Sequence, residues 1–89
     1  MPPALERAAR ALCRHEGQPE DRLVEGAPLW QSYVDKAREV LKAIRDPDEV
    51  MAEAGSEIIR AAVDGQNADA RQRDAATLWR YMIDVALGG

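Results

Sequence analysis

Four stretches of the chain space their apolar side chains three and four positions apart, and each is bounded by proline, glycine or asparagine. That period gathers the apolar groups on one stripe of an α-helix and gives a strand no face to bury. It restricts the fold to helices packed on helices. Leu5, Ala8, Ala9, Leu12 and Cys13 predict a helix over residues 3–16, opened by Pro2-Pro3 and stopped by Gly17. Pro28 opens a second over 28–45, with Trp30, Tyr33, Val34, Ala37, Val40, Leu41 and Ile44 as its stripe. Asp46-Pro47-Asp48-Glu49 predicts the start of a third, with Asp46 as cap, Pro47 next, and acids where the helix dipole favours them. Its buried face is expected from Val50, Met51, Ala54, Ile58, Ile59, Ala62 and Val63, with Gly65 ending it. Asn67 is suited to cap a fourth helix, whose stripe is Ala75, Leu78, Trp79, Met82, Ile83 and Ala86.

Four such helices in 89 residues predict an all-α, compact four-helix bundle spanning 1–89 as a single domain. Phe is absent and sixteen residues are Ala, so few side chains are large enough to fill the centre. Trp30, Tyr33, Trp79 and Met82 are therefore the expected core anchors. Leu29-Trp30 and Leu78-Trp79 begin two similar segments that also share Asp35 with Asp84 and Ala37 with Ala86. That echo is open to two readings: paired Trp anchors in a pseudo-symmetric core, or the spacing any amphipathic helix needs. Gly55 falls inside the third helix, where it is either a site of close helix approach or a tolerated defect. Residues 18–27 carry Pro19 and Gly26 and read as a long loop, with Leu23 and Val24 available to tuck beneath it.

Catalytic chemistry finds little to build on. His15 is the single histidine and Cys13 the single cysteine, and residues two apart on a helix do not face one another. His15 fits a helix C-terminus and Cys13 fits a small apolar packing position. The chain has no glycine-rich phosphate loop, calcium loop or paired-histidine zinc motif. The expectation is a protein that is not an enzyme, with no cofactor and no metal. One cysteine forms no internal disulfide, which suits a reducing cytoplasm. No apolar run approaches the roughly 20 residues that cross a bilayer, and Met1-Pro2-Pro3-Ala4 does not resemble a secretion signal, so no membrane association is expected.

The net charge of −4 disfavours nucleic acid as a partner. The negative charge concentrates near the third helix, where Asp46, Glu49, Glu53 and Glu57 recur every three or four residues as an acidic ridge. Such a ridge is either a solvated face or a contact for a basic surface on a protein partner. Arg7, Arg10 and Arg14 line the first helix and Lys36, Arg38, Lys42 and Arg45 the second, where ion pairing is their simplest use. If a helix read DNA, it would be the fourth, through Arg71, Gln72, Arg73 and Arg80.

The order Ala8-Ala9-Arg10-Ala11-Leu12-Cys13, Pro28-Leu29-Trp30-Gln31-x-Tyr33, Ala37-Arg38, Ala43-Ile44-Arg45-Asp46-Pro47, Met51-Ala52-Glu53-Ala54-Gly55 and Trp79-x-x-Met82-Ile83-Asp84 resembles the small uncharacterised helical proteins carried by proteobacterial phages and prophages. The resemblance runs from about Leu5 to Leu87 and rests on caps and core positions. It implies an accessory protein of a mobile element, of the kind that inhibits a host defence system such as CRISPR, and brings no catalytic residues with it. Together these readings predict a non-enzymatic helical protein that binds another protein, with a homodimer compatible. The alternative is a small DNA-binding regulator.

Overall fold

The computed structural model describes residues 1–62 and 65–88. Four α-helices account for most of the chain: α1 (Pro3–His15), α2 (Val34–Ala43), α3 (Glu49–Ala62) and α4 (Ala68–Ala86). Between α1 and α2 lie two short strands, β1 (Leu23–Val24) and β2 (Ala27–Pro28), and a 3₁₀ turn over Leu29–Tyr33.

The helix ends follow local chemistry. Gly17 adopts a positive φ of 75° after α1. Its N–H donates to Arg14 O at 2.9 Å, and the Gln18 N–H donates to Cys13 O at 3.1 Å, the paired bonds of a Schellman stop. The Asn67 side chain accepts from the Ala70 N–H at 2.8 Å and caps α4. At α3 the cap is Asp48, which accepts from the Met51 N–H at 2.8 Å. This corrects the assignment to Asp46: Pro47 stands outside the helix, one residue before its cap, and Asp46 binds elsewhere.

The N-terminal half has its own core. Leu5, Ala9 and Cys13 lie on one line of α1, four residues apart, and bury against Trp30, Tyr33 and Ala37. The Trp30 ring also lies under Arg10, whose guanidinium carbon is 4.8 Å from the ring centroid. Residues 18–27, expected to be a loop, turn back as a two-stranded antiparallel ribbon pairing Leu23 with Pro28 and Val24 with Ala27. Glu25 and Gly26 both take positive φ, 52° and 84°, the pattern of a tight type I′ connection. Leu23 and Val24 are exposed at the ribbon tip and do not tuck beneath it. The ribbon is anchored at its base, where the Leu29 N–H donates to Arg22 O at 2.8 Å and the Trp30 N–H donates to Glu20 O at 3.1 Å. Arg14 adds an ion pair to Glu20 at 3.1 Å, so the basic stripe of α1 serves an internal contact.

The C-terminal half is the pair α3 and α4. Ala52, Gly55, Ser56 and Ile59 form the more buried side of α3, while Val50 and Ile58 stand in solvent. Gly55 explains this orientation. A Cβ added there would lie 2.7 Å from the Ala75 Cβ, closer than two carbons can sit, so the glycine is a site of close helix approach. Ser56 is the buried polar residue beside it, and its Oγ accepts from Arg71 Nε at 3.3 Å. Val63, expected on this buried face, lies outside the described residues.

The halves meet end to end. The extents are 56 × 23 × 19 Å and the Cα radius of gyration is 17.0 Å, against about 12 Å for a compact domain of this length. The helical class is as expected, but the helices do not gather around one centre. Trp30 is buried in the N-terminal core, whereas Trp79 is only partly buried and belongs to the other half. The echo between their segments therefore does not place two equivalent anchors in a shared core.

Gly55→Ala is expected to destabilise the chain although it improves helix propensity. The added methyl meets a Cβ that cannot rotate away, and overpacking of about 1–3 kcal/mol outweighs a propensity gain of up to about 1 kcal/mol. A lowered midpoint in urea, followed by circular dichroism, is the expected result.

Candidate protein-docking site

The feature that the fold leaves unfilled is the apolar side of the α3–α4 pair. Met51, Ile58, Leu78 and Met82 border an open groove of about 260 Å³, with Gly55 and Ala75 also in its lining. Ile58 is 74% exposed, and Leu78 and Met82 are each 56% exposed. Val50, Tyr81 and Val85 extend the exposed apolar surface along both helices. Met82 is thus a surface residue in this chain, contrary to its expected role as a core anchor. The reason is geometric: one neighbouring helix covers one side of α4, and no third helix lies over the other side of its stripe.

Four contacts fix α4 against the end of α2 and the turn before α3. Arg45 grips Asp84 with two nitrogens, Nε to Oδ1 at 2.8 Å and Nη2 to Oδ2 at 3.1 Å. Trp79 Nε1 donates to Ile44 O at 2.7 Å. Arg80 Nε donates to Asp46 Oδ1 at 2.8 Å, and Arg38 Nη1 donates to Leu87 O at 2.7 Å. Trp79, expected as a buried anchor, acts here through its indole N–H while one edge of its ring lines the groove.

The four acids of the expected ridge separate in the structure. Asp46 lies before α3 and pairs with Arg80, so it is not a free ridge position. Glu57 faces Arg60 one turn away at 3.7 Å. Glu49 and Glu53 are exposed on α3. By helical rotation, Glu53 and Glu57 border the open apolar side beyond Val50 and Ala54. The four acids therefore do not form one continuous surface.

The proposed DNA reader is dispersed in the same way. Arg71 is turned inward to Ser56 and to the Gln66 carbonyl, and Arg80 is held by Asp46. Gln72 and Arg73 remain on a shallow polar surface behind the groove.

Titratable groups describe packing more than reactivity. Burial pushes the Cys13 thiol up, with Glu20 and Glu16 adding to the effect. Tyr33 is pushed up to about 12, first by its hydrogen bond to Glu16 and then by burial. The same contact holds the Glu16 carboxyl below its ordinary value. Exposed His15 stands in the last turn of α1, away from buried Cys13. Among the described residues, no group of three His, Cys, Asp or Glu side chains gathers as a metal site. No described helix is long and apolar enough to cross a membrane.

The groove is hidden in the sequence because Met51, Ile58, Leu78 and Met82 fall on stripes whose spacing predicts burial. The available signal was the breadth of apolar surface on α3, where Val50, Met51, Ala54 and Ile58 continue well past the side that one partner helix covers. No protein family, curated protein or solved structure was found to match the chain.

The hydrogen bonds from Arg45 hold the Asp84 carboxyl below its ordinary value. Its contribution to stability is therefore complete above the ordinary carboxylate range, near pH 4, and is lost as the pH falls through the lower folded value. The midpoint of urea unfolding is expected to drop on acidification, and Asp84→Asn to show a smaller drop over the same pH range. Equal acid sensitivity in the two proteins would contradict a stabilising role for the clamp.

Proposed function

We propose that this chain is a non-enzymatic accessory protein that works by binding protein through the α3–α4 face. The observation that carries this reading is the run of exposed apolar side chains from Met51 and Ile58 across to Leu78 and Met82. A contiguous apolar surface on so small a chain is costly in water and is relieved when another protein covers it. The methionines add an unbranched, polarizable lining that adjusts to a partner's side chains. Glu53 and Glu57 at the border favour a basic rim on whatever docks there and speed the encounter.

Catalysis is the weaker reading on the chemistry present. The groove lining is almost wholly apolar and brings no nucleophile beside a base. DNA binding is also disfavoured, because Arg71 and Arg80 are engaged within the chain. The proposal takes its setting, a mobile element, from the expectation drawn on the sequence alone. In that setting the mechanism is steric, with a host-defence protein blocked by an occupied surface and not by a reaction.

A photo-crosslinking residue placed at position 78 tests this directly, with position 24 as an exposed apolar control outside the groove. Irradiation in the native cells is expected to give discrete protein adducts at 78 and none at 24. Absence of adducts at 78, or the same adducts at both positions, would remove the docking reading.

A further inference from the structure

Apart from Met1, the methionines of this chain open onto a single groove, while its one thiol is shut away. Met51 on α3 and Met82 on α4 both line the space between these helices. We propose that Met51 and Met82 form a reversible oxidation site, where a peroxide converts the thioethers to sulfoxides and thereby turns the docking face from apolar to polar. This rests on the reading of that face as a protein contact and adds its regulation by oxidants.

Access decides which sulfur reacts first. Met82 is 56% exposed and Met51 39%, whereas Cys13 is fully buried. The Cys13 Sγ also donates to Gln18 O at 3.6 Å. Burial raises its pKa as well, so little thiolate is present to attack a peroxide. A thioether has no proton to lose, and its lone pair is available whatever the pH. The usual competitor for an oxidant is therefore shielded. The sulfurs within reach are those of the groove and of Met1, which is 63% exposed at the chain start.

The two groove sulfurs share one neighbourhood. Helices α3 and α4 run antiparallel, since Ser56 meets Arg71, Gly55 meets Ala75, and Asp46 before α3 meets Arg80. Met51 is four residues before Gly55 and Trp79 is four after Ala75, which sets these two level. Pro47 and Met82 come about one turn further along, each on its own side. Both methionines therefore sit toward the end of the groove nearest the α2–α3 connection, while Ile58 lies toward the other end.

The chemistry needs only a peroxide. The sulfur lone pair attacks one peroxide oxygen as the O–O bond breaks and an S–O bond forms. Sulfur gives up two electrons, the proton on the attacked oxygen passes to the leaving oxygen, and water departs. The sulfoxide oxygen is a hydrogen-bond acceptor, and an apolar surface that covers it leaves it unpaired. A methionine sulfoxide reductase reverses the step with a dithiol, which becomes a disulfide while the oxygen leaves as water.

Limited treatment of the full chain with hydrogen peroxide, followed by peptide mass spectrometry and titration with the uncharged dye Nile red, tests the site. One added oxygen is expected on Met51 and on Met82, while Cys13 still reacts with iodoacetamide after denaturation. Dye affinity is expected to fall about tenfold with helical circular dichroism retained. It is expected to recover after treatment with methionine sulfoxide reductases A and B and dithiothreitol. A double variant, Met51→Leu with Met82→Leu, is expected to bind the dye equally before and after peroxide. Oxidation of Cys13 ahead of both methionines overturns the proposal. A fall in dye binding that the double variant shares, or that comes with loss of helix, also overturns it. Full conversion of both methionines with unchanged dye affinity overturns the switch and leaves the docking face standing, whereas no dye binding before peroxide removes both.

Discussion

The close approach of α3 and α4 at Gly55 and Ala75 determines where the apolar side chains of the C-terminal half can go. Two small residues let the backbones come together, and that contact turns Ala52, Ser56 and Ile59 toward the neighbouring helix. The larger Met51, Ile58, Leu78 and Met82 are displaced to one side of the seam. A tight helical pair and an uncovered apolar face are thus two consequences of the same packing choice. A bulky residue at position 55 would separate the helices and remove both.

The N-terminal half is built on a different principle. Its core uses the two largest available ring systems at one end, Trp30 and Tyr33, against the small and medium residues of α1. The β1–β2 ribbon is tied to that core by backbone hydrogen bonds and by Arg14. Because this half buries its aromatic groups internally, it is suited to carry the α3–α4 pair. The junction is polar: Arg45 with Asp84, Trp79 with the Ile44 carbonyl, Arg80 with Asp46, and Arg38 with the Leu87 carbonyl. Directional contacts of this kind fix an orientation without filling a core. They leave the apolar face outward, where the proposed protein binding takes place.

What the sequence disclosed was mainly local. The Gly17 stop and the Asn67 cap depend on residues within one or two turns and are found where the pattern puts them, whereas the second helix, expected from Pro28 to Arg45, runs from Val34 to Ala43 because Pro28 joins the ribbon and Leu29–Tyr33 forms a 3₁₀ turn. The assignment at Asp46 missed because two aspartates flank Pro47, and the choice between them depends on Arg80, thirty-four residues away. The ribbon was hidden because two-residue strands leave almost no period-two signal. The compact bundle and the role of Met82 depended on how many neighbours each helix acquires. Periodicity reports that a face is apolar, but it does not say whether the same chain or another one covers it. The candidate site was legible as four apolar positions, while their exposure followed only from the packing.

The central claim is that the Gly55–Ala75 contact leaves the larger apolar side chains of α3 and α4 open to solvent while the N-terminal core is closed. Hydroxyl-radical labelling of the purified protein, read residue by residue by mass spectrometry, measures this most directly. The account predicts fast labelling of Leu78 and Met82 and slow labelling of Leu5 and Trp30. Labelling of Leu78 and Met82 as slow as that of Leu5 would contradict it.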